Sequence, residues 1–226
     1  MSSNLTMRSS QRRAFLGKLV AGAAALGFTS LVSPLQAKAA AINEGSSEAD
    51  RWFNKVKGKH RIVFDATNHH DGFPLAWSRV FLATNNETGT ADDDLGVVVI
   101  LRHDAIALAL EDRLWDKYKL GEVFKIQDSA TKAASVRNMY WNPKPGELHF
   151  PDMSVDQLQK RGVMFCVCEM AVTVYSSIVA KNMKLEAADV KKDWLKGVLP
   201  GIQLVPSGVW AVSRAQEKGC GYCFAG

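Results

Sequence analysis

The feature that most limits what this chain can fold into is LGVVVIL, residues 95–101, an uninterrupted apolar run between Asp94 and Arg102. A strand with one face in water alternates apolar and polar residues, and this run has no polar position to expose. Strands of parallel sheets show such runs because helices cover both of their faces. The run therefore predicts a central strand with a layer of helices on each side.

Shorter strand-like segments alternate with helical patterns along the rest of the chain. They are HRIVFDAT (60–67), GVMFCV (162–167), IQLVP (202–206) and the terminal CGYCFAG (220–226). Because strands that alternate with helices favour a parallel sheet, we expect a three-layer α/β/α fold with a five-stranded, mostly parallel sheet. The pattern also predicts a helix over 105–118 capped by Asp104, and the prolines and Gly146 predict a loop excursion at about 120–153.

The first 41 residues have the composition of an export signal. Arg12 and Arg13 precede a weakly apolar stretch rich in Ala and Gly, and Ala37 and Ala39 offer a cleavage site. A membrane anchor would need about 20 strongly apolar residues, and Pro34 and several glycines interrupt this stretch. We therefore predict a twin-arginine signal peptide at 1–41, a polar tether at 42–57, a domain at 58–226, a periplasmic location and no stable membrane span.

The signal segment also explains the basic charge of the whole chain. All five of its charged residues are basic, which leaves 23 of the 28 Lys and Arg residues against 23 Asp and Glu residues after residue 41. Without the signal the chain is formally neutral, so its charge does not indicate nucleic acid as a partner.

Polar residues follow the predicted strands where parallel strands end together, at the edge where such folds bind ligands. Asn68 and His69 follow the first strand, His103 the second, Cys168 the third and Ser207 the fourth. We expect the thiol of Cys168 to lie at the start of a helix, where unpaired backbone N–H groups stabilise the reactive thiolate. The neighbouring Asp104 and Glu169 oppose this effect, and a protonated His103 would offset them. Cys166 fits a buried filler, and the same role stays open for Cys168.

Several segments together resemble the DsrE/DsrF-like family. They are Val163–Cys168 leading into an Ala- and Val-rich helix, Leu199–Ile202, Val205–Val209 and Gln216–Gly219, and the likeness extends over about 58–226. The resemblance implies an α/β/α fold and a homo-oligomer. In sulfur-relay members a cysteine at the end of this strand carries sulfur as a persulfide, and Cys168 falls at that position. The resemblance thus implies sulfane-sulfur transfer between donor and acceptor proteins or small sulfur compounds. From their place at the same edge, we expect Asn68, His69, His103 and Ser207 to bind the donor.

The alternative is a binding protein without enzymatic activity, which holds a small ligand, a metal or haem at the same edge. No cofactor is predicted from the residues themselves, and no metal ligands are assigned. The adjacent His69 and His70 point apart in extended chain, and a haem-attachment C-x-x-C-H motif is absent from the sequence. Cys220 and Cys223 could form a disulfide in an oxidising compartment if the glycines beside them make a turn.

Overall fold

The structure is a computed structural model that describes residues 47–226. Its sheet has five strands: β1 (His60–Ala66), β2 (Leu95–Leu101), β3 (Met164–Cys168), β4 (Ile202–Val205) and β5 (Gly221–Phe224). Their order in the sheet is β4-β3-β2-β1-β5, and all neighbouring pairs are parallel. Helices cover both faces of the sheet, so the predicted three-layer α/β/α architecture is confirmed.

Strand β2 occupies the centre of the sheet, and all seven of its residues are buried. It pairs with β1 along its whole length, from His60 opposite Leu95 to Ala66 opposite Leu101. On its other side it pairs with β3, and this register ends with Leu101 opposite Val167. The apolar run therefore forms the strand that the sequence predicts, at the predicted residues.

The helices are distributed unequally between the two faces. One face carries α1 (Glu48–Phe53) and α8 (Gly208–Glu217), which contact each other and the sheet. The remaining helices of the described chain are α2 (Phe73–Glu87), α3 (Asp112–Tyr118), α4 (Leu120–Val123), α5 (Val155–Lys160), α6 (Glu169–Met183) and α7 (Ala187–Lys196). Short 3-10 turns occur at His70–Gly72, Asp92–Asp94 and His103–Ala109.

Each face of the sheet has its own apolar core. Beneath α1 and α8, residues such as Val98, Ile100 and Cys166 pack against Phe53 and Ala211. On the opposite face, Val99, Leu101 and Phe165 belong to a larger core that includes Leu75, Trp115 and Trp194. Successive residues of a strand point to opposite faces, which is why neighbours such as Val99 and Ile100 enter different cores.

The predicted helix over 105–118 is divided in two, and Asp104 does not cap it. A 3-10 segment covers His103–Ala109, Leu110 is extended and forms an antiparallel bridge with Val198, and α3 begins only at Asp112. All residues from Ala105 to Leu110 are fully buried. A regular helix at the edge of this core would expose the residues on one of its sides. Here every residue of the segment is buried, and the segment does not form a regular helix.

The segment assigned to a tether contains a packed helix. Residues 49, 52, 53 and 56 are apolar and buried, and Phe53 is fully covered. These residues are three or four positions apart, a spacing typical of an amphipathic helix. The polar residues around them made this pattern hard to recognise in the sequence. The packed domain therefore begins at Glu48. The predicted twin-arginine signal at 1–41 and the first part of the tether lie outside the described residues.

The excursion predicted at about 120–153 is largely irregular. After the short helix α4 it contains turns and one antiparallel bridge, between Gln127 and Ala134. Asn138 fixes it to the core, because its side-chain amide donates hydrogen bonds to the carbonyl oxygens of Leu108 (3.0 Å) and Leu110 (2.9 Å). In residues 47–226, no helix has both the length and the apolar character that a membrane span requires.

Ile100→Ala tests how far stability depends on the double-sided burial of β2. Ile100 is fully buried in the core beneath α1 and α8. We therefore expect the free energy of unfolding to fall by about 3 kcal/mol, as for other large-to-small core changes. Urea denaturation followed by circular dichroism measures this change. Val136→Ala, at an exposed position of the excursion, is the control and should cost less than about 0.5 kcal/mol. Equal losses in both variants would contradict the assignment of the core.

Candidate functional site

The four polar loop segments predicted to meet do follow strands that end at one edge of the sheet. Strands β1, β2, β3 and β4 are parallel neighbours, so their carboxyl ends lie side by side. The register places Arg102 and Cys168 directly after the paired residues Leu101 and Val167. Cys168 is itself paired with Val205, two residues before Ser207.

An ion pair between the buried Asp65 and the partly buried Arg102 lies at this edge. Arg102 donates from Nε to Asp65 Oδ1 at 2.6 Å and from Nη2 to Oδ2 at 2.9 Å, a two-bond contact. The hydroxyl of Tyr222 donates a third hydrogen bond to Oδ2 at 2.9 Å. Burial raises the pKa of Asp65, but the hydrogen bonds from Arg102 and Tyr222 outweigh burial and leave that pKa below its ordinary value. Asp65 is therefore a carboxylate although it is only 2% exposed.

Gly208, the first residue of α8, leaves room for the side chain of Arg102. A Cβ atom at this position would lie 2.5 Å from Cδ and 2.7 Å from Cβ of Arg102. Any larger residue would push the arginine away from its place between α8 and β1. The glycine at the start of this helix thus serves the ion pair.

His103 contacts Arg102 through its ring. Nη1 of Arg102 lies 2.8 Å from Nε2 of His103. Arginine can only donate, so a hydrogen bond between them requires Nε2 to accept. The backbone of His103 is left-handed, with φ of 48°, a conformation uncommon for residues other than glycine.

Cys168 is the N-cap of α6, as expected from its place between strand and helix. Its sulfur accepts a hydrogen bond from the backbone N–H of Ala171 at 3.3 Å. The residue is 6% exposed, so the thiol is largely covered by its surroundings. Cys166 differs from it, because burial raises the pKa of Cys166 far above the ordinary value for a thiol and its side chain lies in the core beneath α1 and α8.

The two acidic residues expected to oppose a thiolate at Cys168 are each paired with another group. Glu169 accepts a salt bridge from Lys191 at 3.2 Å. Asp104 accepts a hydrogen bond from the hydroxyl of Tyr175. Burial, followed by the contact with Asp104, raises the pKa of Tyr175 to about 12, so this hydroxyl remains a donor.

Asn68 and His69 are occupied by contacts within their own loop. Oδ1 of Asn68 accepts a hydrogen bond from the backbone N–H of His70 at 2.7 Å. Nδ1 of the buried His69 accepts one from the backbone N–H of Asp71 at 3.3 Å, and burial lowers the pKa of His69. These bonds shape a loop in which His70 and Asp71 both have positive φ, 40° and 49°. Ser207 likewise caps α8, since its Oγ accepts from the N–H of Trp210 at 3.3 Å.

A shallow groove of about 400 Å³ lies on the α8 side of the ion pair. Its lining residues are Asp65, Arg102, Val209, Val212, Gln216 and Tyr222. From the sequence alone, no role was expected for Asp65, Arg102 or Tyr222. A signal was present, because Asp65 is an acidic residue that directly follows the apolar residues Ile62–Phe64 of β1, and Arg102 directly follows the most apolar strand.

The structure separates Cys220 from Cys223. Cys220 packs in the core beneath α1 and α8, Cys223 packs against the core of the opposite face, and both are free thiols. A bridge between them would require one side chain to change faces. As for metals, residues 47–226 contain no group of three or more His, Cys, Asp and Glu side chains placed to hold an ion.

Comparisons with known proteins do not identify this site. No protein-family model matches the chain, and no curated protein matches it. Among solved structures, it is similar to MTH1491 from Methanobacterium thermoautotrophicum, described as a protein of unknown function, with a TM-score of 0.38 and 14% sequence identity. That similarity covers 73% of this chain and 98% of the other, and we draw no conclusion from it.

Asp65→Asn should lower the free energy of unfolding by about 2 kcal/mol near pH 7, because hydrogen bonds to charged groups contribute roughly 1.5–3 kcal/mol. The folded pKa of Asp65 is depressed, so its stabilisation is present above the unfolded pKa of about 3.9 and is lost as pH falls through the folded pKa. Urea denaturation between about pH 7 and pH 3 should show the two proteins converging in acid. Asp93→Asn, at an exposed position, is the control and should have little effect. A difference that is constant with pH would contradict a charged Asp65.

The positions of Cys220 and Cys223 predict the number of thiols. In unfolded protein that has not been reduced, all four cysteines should react with a thiol-specific dye, because no pair is bridged in the structure. Reduced protein from the same preparation sets the maximum signal. Half of that signal, with Cys220 and Cys223 absent from the labelled peptides, would establish the disulfide instead.

Proposed function

We propose that the protein is an exported sulfur carrier of the DsrE/DsrF-like type, in which Cys168 holds a sulfane sulfur as a persulfide. The observation that carries this proposal is the environment of its sulfur. Cys168 stands at the carboxyl edge of the sheet, and its sulfur accepts a hydrogen bond from a backbone N–H at the start of α6. Helix starts favour the thiolate, which is the form that attacks sulfur.

The transfer needs no oxidant or cofactor. The Cys168 thiolate attacks the terminal sulfur of an inorganic polysulfide, and a new S–S bond forms to Cys168 while the bond between that sulfur and the rest of the chain breaks. The shortened polysulfide leaves as a dianion with the electron pair of the broken bond, and Cys168 becomes a persulfide anion. An acceptor thiolate then attacks the outer sulfur of the persulfide. The S–S bond breaks, Cys168 regains its thiolate, and the acceptor becomes the persulfide.

Burial of the thiol influences which donors suit it. With 6% of Cys168 exposed, a small inorganic donor meets less hindrance than the thiol of a folded protein does. Transfer to a protein acceptor would therefore require the loops around Cys168 to open. In this proposal His103 and Ser207, which flank the ends of β2 and β4, contact the bound donor, whereas Asn68 and His69 shape the neighbouring loop.

The resemblance to the family and the twin-arginine pattern support the remaining parts of the proposal. They favour a periplasmic homo-oligomer that receives sulfur from small compounds or donor proteins and passes it to acceptors. The groove beside Arg102 favours a second candidate, a protein that binds a small ligand without reacting with it, because the groove is open and mixes polar with apolar residues.

Exposure to polysulfide followed by intact-mass spectrometry and peptide mapping tests the proposal. The wild-type protein should gain sulfur on Cys168, Cys168→Ser should gain none there, and Cys166→Ser should load nearly as much as wild type. The two cysteines are in the same strand, so Cys166→Ser is a matched control for substitution near the site. Absence of sulfur on Cys168 in folded wild-type protein would reject the carrier proposal and favour the binding protein.

A further inference from the structure

We propose that the outer edge of β5 is a pairing surface for a second copy of this chain. Two β5 strands join antiparallel across a two-fold axis, and the two five-stranded sheets become one continuous sheet of ten strands. This dimer is an interface for the homo-oligomer of the proposed function, and it forms whether or not Cys168 carries sulfur.

The backbone groups of β5 are free along its outer side. In residues 47–226, β1 is the only strand that pairs with β5. The backbone N–H of Ala225 donates to the carbonyl oxygen of Asp65 at 3.0 Å, so Ala225 directs its backbone groups towards β1. Backbone groups of successive residues in a strand alternate between its two neighbours. Those of Tyr222 and Phe224 therefore point outwards, as unpaired donors and acceptors.

Strand β5 lacks the features that normally prevent an edge strand from pairing. Such strands usually carry a lysine, a proline or an inward-pointing charge, whereas the segment GCGYCFAG (219–226) has no charged residue and no proline. The opposite edge strand, β4, is different, because its first and last residues are buried and α1 contacts it. Pairing through β5 alone gives a closed dimer and not a fibre.

Three large apolar side chains are exposed beside this edge. Tyr222 is 49% exposed, Phe224 is 59% exposed, and Val209 at the start of α8 is 67% exposed. Val209 and Tyr222 line the same groove, and Phe224 is two residues from Tyr222 on the same face of β5. The hydroxyl of Tyr222 donates to Asp65. Its ring is therefore already fixed, and little side-chain freedom is lost when a partner covers it.

A two-fold axis beside Cys223 uses every outward backbone group of Tyr222 and Phe224. In an antiparallel pair centred there, Tyr222 of each copy is opposite Phe224 of the other. Both pairs are of the hydrogen-bonded kind, in which the two residues exchange N–H···O bonds in both directions. Each pair also places one aromatic ring beside another on the α8 face of the sheet.

The charges near β5 favour an identical strand as the partner. Asp65 and Arg102 neutralise each other, so the edge offers no net charge that an acidic or basic protein would recognise. Arg61 lies near the amino end of β5, where it donates to the carbonyl oxygen of Lys218. Antiparallel strands place the Arg61 residues of two copies at opposite ends of the interface, so they do not repel each other.

Cys223 reports whether two copies pair in this register. Its sulfur lies 3.6 Å from the outward carbonyl oxygen of Phe224, so the thiol is at the open edge. In the pair, Cys223 is opposite Cys223 of the second copy, at a non-hydrogen-bonded position where Cα atoms are about 4.5 Å apart. Disulfides form at this separation. When diamide is added, each thiol gives up one electron and one proton, an S–S bond forms, and diamide takes both electrons and both protons to become a hydrazine.

Sedimentation velocity of the reduced protein over a range of concentrations tests the dimer. We expect a dissociation constant of about 10–100 µM, because the interface is small. Phe224→Lys places a charge on the edge and should weaken the dimer by at least about tenfold. Val136→Lys is the matched control, since Val136 is 57% exposed and lies outside β5, and it should dimerise as wild type does. Circular dichroism shows that both variants are folded.

Diamide treatment followed by peptide mapping tests the register. Wild-type protein should give a covalent dimer in which Cys223 is joined to Cys223. Cys223→Ser should lose this link and keep the dimer seen in sedimentation. Phe224→Lys keeps the thiol and should also lose the link, which distinguishes pairing at the edge from chance collision.

The outcomes separate this inference from sulfur transfer. A wild-type protein that is monomeric at every concentration would overturn both the β5 interface and the homo-oligomer, without affecting sulfur loading of Cys168. A dimer that Phe224→Lys leaves intact, or a Cys223 link that persists in that folded variant, would overturn the β5 interface alone. Absence of sulfur on Cys168 in a protein that dimerises through β5 would reject the carrier and leave the interface established.

Discussion

Burial of β2 on both faces is the constraint on which the rest of this structure depends. A strand without a polar residue requires apolar cover on each side, and here one face receives α1 and α8 while the other receives the remaining helices. Successive parallel strands are joined by crossover connections, usually helices, and these helices cover the faces of the sheet. Parallel strands in turn bring their carboxyl ends together, so the loops that carry Arg102, Cys168 and Ser207 meet as a consequence of how β2 is buried.

The same constraint makes Asp65 exceptional. It is the only acidic residue within the five strands of the described chain, and a carboxylate buried in a sheet is stable only if hydrogen bonds replace the water it loses. Arg102 and Tyr222 supply those bonds from β2 and β5, the two strands that flank β1. Three adjacent strands are thereby linked by side chains at the edge where the main-chain pairing ends, and Gly208 keeps α8 from displacing the arginine.

The sequence predicted the parts of this arrangement that depend on local pattern. The bounds of β2 and the parallel three-layer fold follow from apolar runs and their alternation with helices, and the position of Cys168 at a helix start follows from the order of strand and helix. It did not predict the break of the helix at Leu110, because that break depends on a bridge to Val198, a partner distant in the chain. The ion pair was missed for the same reason: Asp65 and Arg102 are 37 residues apart, and only the sheet register shows that they meet.

Cys166 and Cys168 show that two thiols of one strand can have different surroundings. Both are buried, so exposure alone does not separate them. The surroundings of Cys166 are apolar, and an apolar residue of similar volume would meet the same packing requirement. Cys168 instead lies where the strand ends, with a backbone N–H directed at its sulfur. An apolar filler does not need such a polar contact, and this difference is what the proposed role of Cys168 as a sulfur carrier rests on. Under that proposal, burial of Cys168 would protect its persulfide from unintended thiols.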